Sequence, residues 1–314
     1  MSTVERPREA TRARCPDEEG YVERDGVRVF YEVYGSGEPT VILLPTWSLV
    51  HSRVWKAQIA YLARHYRVVT FDGRGNGKSD RPDEPSAYRA PEFAHDAVAV
   101  MEATATDAAV CVSTSAGTAW SLIMAVTQPE RVLGAVFIGP TSYAVTEPTQ
   151  DWMRAPFNER LDSYEGENRY NRHFIREHFP EFAQFWAALC IPEPHSTRPI
   201  EFASEMAMDT TPEVILATID AVHMDRAACA AELFVHGGQR LRQLAVQLKC
   251  PTLVIQGDQD HTCLPEWGRA LAEDTGGELL MMRGVGHSPH GRKPVRVNLA
   301  LREFVERVAG GDSP

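Results

Sequence analysis

The 314-residue sequence lacks several features that would assign it to a specialised class of protein. Its basic residues do not cluster, and 32 Lys and Arg stand against 43 Asp and Glu. The resulting net charge of −11 argues against a polyanionic partner such as nucleic acid. No apolar run reaches the length that crosses a membrane, and the polar opening of the chain is unlike a secretory signal. These absences favour a globular protein of the cytoplasm.

The six cysteines form no recognisable motif. They are scattered, without a C-x-x-C pair or another spacing typical of metal ligands. His287 and His290 are three residues apart, but no third ligand accompanies them in the sequence. The sequence therefore predicts reduced thiols, no metal and no disulfide framework.

The chain does contain a regular alternation of strand and helix patterns. Asp25-Gly26 separates two short alternating runs, which predicts a hairpin. Thr40–Leu44 is an unbroken apolar run, typical of a parallel strand that is covered on both faces. Helical and strand patterns then alternate as far as Ile138, which is the rhythm of a parallel sheet.

This rhythm stops after Gly139-Pro140 and resumes at about residue 251. The segment between these two points has a helical pattern, is rich in aromatic residues and contains no clear strand pattern. We therefore predict one α/β domain with a helical insertion and a polar tail. The expected ranges are 1–20 for a flexible tail, 21–143 and 241–314 for the α/β core, and 144–240 for a helical cap.

Ser115 lies between an apolar strand and an Ala-led helix in the segment VCVSTSAGTAW, residues 110–120. A serine on a tight strand-to-helix turn is pushed clear of the sheet, and the residues two positions before and after it must be small. Ser113 and Gly117 meet this requirement, although Ser113 stands where glycine is usual. Ordinary turns also have such patterns, so the interpretation depends on the rest of the chain.

Other motifs supply that context, and in order they are LLPTW, DGRGNGKS, STSAG, GDQD and GHS. Over residues 21–309 the chain resembles the α/β-hydrolase family. The resemblance implies an α/β-hydrolase fold: a mostly parallel central sheet, flanking helices and an inserted helical cap. It also implies that Ser115 is the nucleophile, His287 the base and Asp260 the acid, with backbone N–H groups of Trp47 and Ala116 forming the oxyanion hole. No cofactor is implied.

Two of these assignments have alternatives, and a third depends on a loop that differs from the family's pattern. Asp258 competes with Asp260 for the acid, but the acid is expected three residues after Gly257, which favours Asp260 and leaves Asp258 as a turn residue. His290 could be confused with His287, and it is expected either to line the entrance or to be solvated. Pro45-Thr46 replaces the family's common His-Gly, which alters the loop that carries Trp47.

The implied function is hydrolysis of a carboxylic ester or lactone through an acyl-enzyme. The expected substrate is small to medium in size and partly apolar. Alternatives are a C–C bond hydrolase or an acyltransferase with the same triad, and a ligand-sensing protein without turnover. The expected partner is a small molecule, with neither nucleic acid nor membrane, and a homodimer is left open. Candidate substrate contacts are His51, Trp120, Trp152 and Trp186, although the sequence favours packing for Trp120 and a backbone-bonded loop position for His51.

Overall fold

A computed structural model describes residues 14–141, 155–229 and 237–311. Its strands form one sheet in the order β1-β2-β4-β3-β5-β6-β7-β8. The strands are β1 Glu18–Arg24, β2 Val27–Tyr34, β3 Val41–Leu43, β4 Val68–Phe71, β5 Ala109–Thr114, β6 Val132–Ile138, β7 Thr252–Gly257 and β8 Glu278–Met282. Strand β2 is antiparallel to β1 and β4, and the other neighbours are parallel. The predicted mostly parallel sheet is confirmed.

The hairpin β1–β2 turns at Asp25-Gly26, as predicted. Both residues have positive φ, 52° and 78°, which is what a two-residue turn between twisted strands requires. Strand β1 begins at Glu18, inside the range 1–20 that was expected to be a tail, because Glu18 already pairs with Val33. Residues 1–13 of that tail lie outside the described residues.

Helices cover both faces of the sheet. They are α1 Lys56–Leu62, α2 Ala90–Ala103, α3 Gly117–Thr127, α4 Arg172–Glu177, α5 Phe179–Cys190, α6 Thr197–Ala207, α7 Pro212–Cys229, α8 Gly237–Ala245, α9 Pro265–Thr275, α10 Pro289–Arg292 and α11 Pro294–Gly310. Ile42 packs in the apolar cluster with α2, α3 and α9, whereas its neighbours Val41 and Leu43 pack in the cluster with α1 and α11. Successive strand residues point to opposite faces, so burial on both sides requires the unbroken apolar runs seen in the sequence.

Between β6 and β7, the described residues form helices and no strand. A third apolar cluster holds α4, α5 and α7 together through residues such as Phe174, Phe182 and Ile215, and Leu49 of the core joins it. Helix α8 crosses the expected cap boundary at residue 240, and its Leu244 packs in the cluster that contains α3. The other expected boundary, at residue 144, lies outside the described residues.

Among the described residues, no helix is both long enough and apolar enough to cross a bilayer.

Candidate active site

Ser115 lies directly after β5, between that strand and α3. Its φ of 51° is in the left-handed region, which costs a non-glycine residue on the order of 1–2 kcal/mol. The backbone N–H of Ser115 donates to the carbonyl of Ile138 at 3.0 Å, and the Thr114 hydroxyl donates to the same oxygen at 3.0 Å. The end of β6 thus fixes the turn, and Ser115 stays half-buried at the carboxyl edge of the sheet.

The residues two positions away explain why this turn requires small side chains. A Cβ added to Gly117 would lie 2.7 Å from the carbonyl oxygen of Pro45 and 3.3 Å from Cβ of Ser113. A larger residue at position 117 would therefore push α3 away from the loop that carries Trp47. Ser113 fits in place of glycine because its hydroxyl, although buried, donates to the carbonyl of Val136 at 3.2 Å.

Asp260 and His287 form a buried pair at the same edge. Nδ1 of His287 lies 2.8 Å from Oδ2 of Asp260. The other carboxylate oxygen, Oδ1, accepts the backbone N–H groups of Thr262 at 2.8 Å and Cys263 at 2.7 Å. The turn 260–263 therefore wraps around the carboxylate and directs Oδ2, which also accepts the side-chain N–H of Gln256 at 3.2 Å, at the imidazole.

Asp258, the competing candidate, has a different contact. Its Oδ1 accepts the backbone N–H of Gly284 at 2.7 Å. That bond joins the turn after β7 to the turn after β8, which is the turn role expected from the sequence. The geometry therefore favours Asp260 as the partner of His287.

The environment of His287 has two opposed effects on its pKa. Burial has the largest single effect and would by itself lower the pKa, because it penalises the imidazolium, but the facing Asp260 carboxylate and the neighbouring Cys263 together outweigh burial and hold the pKa well above its ordinary value. The ring also lies close to the end of β6, since a Cβ on Gly139 would be 3.1 Å from Nδ1 of His287. The backbone N–H of Ser115 donates a hydrogen bond to Ile138, the residue before Gly139. The candidate nucleophile and base therefore lie at the same edge of the sheet.

Within the described residues, no hydrogen bond joins Ser115 to His287. Such bonds are often long without substrate and shorten in the reacting complex.

Two backbone N–H groups near Ser115 make no hydrogen bond within the part of the chain that the structure describes. They belong to Ala116, just before α3, and to Trp47, in the loop after β3. The close approach of Gly117 to Pro45 brings the two segments together. The N–H of Ala116 at a helix start and the unpaired loop N–H of Trp47 both suit a developing negative charge, which is the role predicted for the two residues.

The side chain of Trp47 connects the core to the cap. Its Nε1–H donates to the Thr218 hydroxyl on α7 at 2.7 Å. Its ring meets Trp186 of α5 edge-on, with ring centroids 5.0 Å apart. Trp186 therefore lies beside the oxyanion loop, as a substrate contact would require, while also packing in the cap cluster.

The other predicted substrate contacts have different surroundings. Trp120 is buried and stacks on Phe93 with centroids 4.0 Å apart and planes 5° from parallel, which favours its packing role. His51 is buried, and its Nδ1 accepts the backbone N–H of Arg53 at 3.4 Å, so it caps the turn that follows. Trp152 lies outside the described residues.

His290 is not solvated, contrary to one of the two expectations. It is 2% exposed, with its ring 4.9 Å from that of Trp55, and neither ring nitrogen has a hydrogen-bond partner in the described residues. Burial, together with the nearby charge of His287, lowers the pKa of His290 to about 3. The error arose because the sequence places His290 in a polar loop, whereas the structure begins α10 there and folds it against Trp55.

Cys263 also lies at this site, although no sequence pattern predicted it there. Its thiol lies with Asp260 and His287, and the nitrogen, oxygen and sulfur of the three side chains are within 4.8 Å of one another. The available signal was its position three residues after the candidate acid. That spacing alone gave no reason to separate it from the other cysteines.

Comparison with known proteins is consistent with this geometry. The sequence model of the α/β hydrolase fold family matches residues 39–294. RutD of Caulobacter segnis, whose name assigns it carbamate hydrolysis provisionally, is 34% identical over 107 residues, which are 33% of this chain and 40% of RutD. The match thus spans less than half of that relative.

Two further proteins are similar over greater lengths. The Karrikin insensitive 2 receptor CA of Petunia hybrida is 23% identical over 285 residues, which cover 88% of this chain and 96% of the receptor. The solved structure of Est816, described as an N-acyl homoserine lactone degrading enzyme, superposes with a TM-score of 0.70 at 23% identity, covering 91% of this chain and 100% of that one. At this identity, the structural likeness shows the fold alone.

Proposed function

Because the chain belongs to the α/β hydrolase family, we propose that it is a serine hydrolase that cleaves a carboxylic ester or lactone through an acyl-enzyme. One observation carries the proposal: Ser115 occupies a turn with φ of 51°, at the sheet edge that also holds the buried pair of Asp260 and His287 at 2.8 Å. A fold alone does not determine a reaction, but a serine at the sheet edge that also holds a histidine paired with a carboxylate is the arrangement that acyl transfer requires.

The proposed reaction begins when Oγ of Ser115 attacks the substrate carbonyl and Nε2 of His287 takes its proton. Asp260 holds the Nδ1–H of His287, which keeps Nε2 free to accept and stabilises the imidazolium. The N–H groups of Trp47 and Ala116 hold the oxyanion. The imidazolium then protonates the leaving alkoxide, which departs as an alcohol or, for a lactone, stays on the acyl group. Water, deprotonated by His287, releases the acid and regenerates Ser115.

The proposed substrate is small to medium in size and partly apolar. The half-buried indoles of Trp47 and Trp186 meet beside the oxyanion loop, where an acyl or alcohol group would lie. The lactone-degrading activity in the description of Est816 is compatible with a lactone substrate here.

The test uses a fluorophosphonate probe and a p-nitrophenyl ester. We expect the probe to label Ser115 and the ester to release a burst of p-nitrophenol, and both should disappear in Ser115→Ala. Ser121→Ala is a matched control, because Ser121 lies on α3 and its buried hydroxyl has no hydrogen-bond partner in the described residues. Labelling that persists in Ser115→Ala would contradict the proposal.

A ligand-sensing protein is the second candidate, favoured by the alignment with the Karrikin insensitive 2 receptor CA over 96% of that receptor's length. A sensor would bind lactone analogues and show a raised melting temperature with at most one turnover per molecule. An esterase would show continuous turnover after the burst, so the same p-nitrophenyl assay separates the two.

A further inference from the structure

Three buried side chains of different chemistry meet at the candidate base. A ring nitrogen of His287, a carboxylate oxygen of Asp260 and Sγ of Cys263 lie within 4.8 Å of one another. The three residues are 7%, 1% and 1% exposed. Ester hydrolysis uses the first two and gives no role to the thiol. Imidazole nitrogen, carboxylate oxygen and thiolate sulfur together form a donor set that zinc binds.

We propose that Asp260, Cys263 and His287 form a Zn²⁺ site, and that the bound ion reversibly inhibits the enzyme. The inhibitory part rests on the proposed function, whereas binding of the ion rests only on the geometry of the three donors. Three protein ligands leave one position of a tetrahedral ion for water.

The donors need only a small adjustment to hold the ion. Bond lengths of about 2.0–2.3 Å to a tetrahedral zinc place neighbouring ligand atoms roughly 3.3–3.6 Å apart. The pair His287 Nδ1 and Asp260 Oδ2, at 2.8 Å, must therefore open by about half an ångström. The backbone N–H groups of Thr262 and Cys263 keep their bonds to Oδ1, so the carboxylate stays anchored while Oδ2 turns to the metal.

Charge and protons balance in this exchange. The thiol of Cys263 loses its proton to solvent, and thiolate plus carboxylate neutralise the two positive charges of the ion, which suits a buried site. A neutral His287 binds through Nδ1, and the proton that Nδ1 carried moves to Nε2. In that tautomer, Nε2 cannot accept the proton of Ser115. The ion therefore blocks the base without occupying the substrate site.

A second thiol lies close by and must be distinguished. The hydroxyl of Thr262 donates to Sγ of Cys190 at 3.6 Å, and the carbonyl of Cys190 accepts the backbone N–H of His287. Sγ of Cys190 does not belong to the group within 4.8 Å. Cys250, between α8 and β7, serves as a remote control.

Binding is tested with Co²⁺, which reports a thiolate ligand through a near-ultraviolet charge-transfer band and tetrahedral geometry through visible absorption. We expect one ion per chain, with the charge-transfer band present in the wild type, Cys190→Ser and Cys250→Ser, and absent in both Cys263→Ser and Cys263→Ala. Absence of the band in the wild type would overturn the proposal, and so would a band that survives in folded Cys263→Ser but disappears in Cys190→Ser. Far-ultraviolet circular dichroism verifies the folding of each variant.

Inhibition is tested with Zn²⁺ in the p-nitrophenyl assay, each variant being compared with its own metal-free rate. We expect a fall in kcat that EDTA reverses, and a Zn²⁺ concentration for half-inhibition at least about tenfold higher in Cys263→Ser than in Cys250→Ser. A wild type that binds Co²⁺ through the thiol but keeps its rate in Zn²⁺ would overturn the inhibitory part. If Ser115 resists the fluorophosphonate while the Co²⁺ band appears, the proposed function fails and the metal site stands.

Discussion

Replacing Asp260 with asparagine changes one oxygen to an amide nitrogen and leaves the side-chain shape almost intact. The structure determines which way the amide must face. Oδ1 of Asp260 accepts two backbone N–H groups, from Thr262 and Cys263, and only an oxygen can keep both bonds. The amide nitrogen is then forced towards His287, in place of the oxygen that lies 2.8 Å from Nδ1. Because that nitrogen donates, Nδ1 must accept, and the proton of the imidazole moves to Nε2.

This tautomer cannot take the proton of Ser115. A triad held in the wrong tautomer by such a change loses about 10⁴-fold in kcat, equivalent to about 5 kcal/mol of transition-state stabilisation. We expect a loss of that order for Asp260→Asn in steady-state hydrolysis of a p-nitrophenyl ester. Asp258→Asn is the matched control, since its oxygen can still accept the N–H of Gly284, and it should retain most of the wild-type rate.

The pH dependence provides a second measurement on the same variant. The Asp260 carboxylate raises the pKa of His287 above its ordinary value, and hydrolysis requires the neutral imidazole. The wild-type kcat/KM should therefore decline as pH falls through a pKa above 6.5. In Asp260→Asn, the residual activity should decline at lower pH, because burial then acts without the opposing charge. An Asp260→Asn enzyme within tenfold of the wild type, or an equal loss in Asp258→Asn, would refute the assignment.

Three further predictions concern packing around the site. Gly117→Val should abolish probe labelling of Ser115 and lower the melting temperature, because the new Cβ would lie 2.7 Å from the carbonyl oxygen of Pro45, whereas Gly291→Ala, whose new Cβ would meet only Cβ of Ser288 at 4.0 Å, should retain labelling. Trp120→Ala should lower the free energy of unfolding by about 3–5 kcal/mol in urea titrations, since it removes a buried ring stacked on Phe93; a loss below 1 kcal/mol would contradict the core position. His290 stays neutral when folded, with a pKa of about 3, so the unfolded chain binds the extra proton below about pH 6.5 and stability falls as pH falls. Replacing it with leucine should reduce the loss of unfolding free energy between pH 7 and pH 5 by roughly 2 kcal/mol, and an unchanged pH dependence would argue against the buried position.

The sequence predicted the elements of the core closely because those patterns are local. The apolar run Ala109–Thr114 becomes a strand buried on both faces, and the turn at Asp25-Gly26 follows from two residues that accept positive φ. The strand-to-helix turn at Ser115 could also be predicted, because the small residues that it requires lie within the five-residue segment STSAG. The order of such motifs over 21–309 predicted the family, and the family model that matches residues 39–294 confirms it.

Local pattern failed where a residue's role depends on what folds against it. The sequence predicts that His290 lines the entrance or is solvated, and only its contact with Trp55 reveals a buried position. For Trp120 the sequence favours packing, and its stacking on Phe93 agrees. Helix α8 crosses the expected cap boundary at residue 240, and its Leu244, which falls in the expected core range, packs in the core cluster. Side chains in such positions are placed by packing rather than by propensity.

The sequence by itself determined the alternation of strands and helices, the place of Ser115 on its turn, and the order in which the triad candidates follow. The tertiary structure decided which carboxylate pairs with His287, and which thiol lies beside that pair. Asp258 and Asp260 are two residues apart in one turn, yet only Asp260 reaches a histidine 27 residues away. The physical reason is that local propensity acts over a few residues, whereas hydrogen bonds and burial join residues that the chain itself keeps far apart.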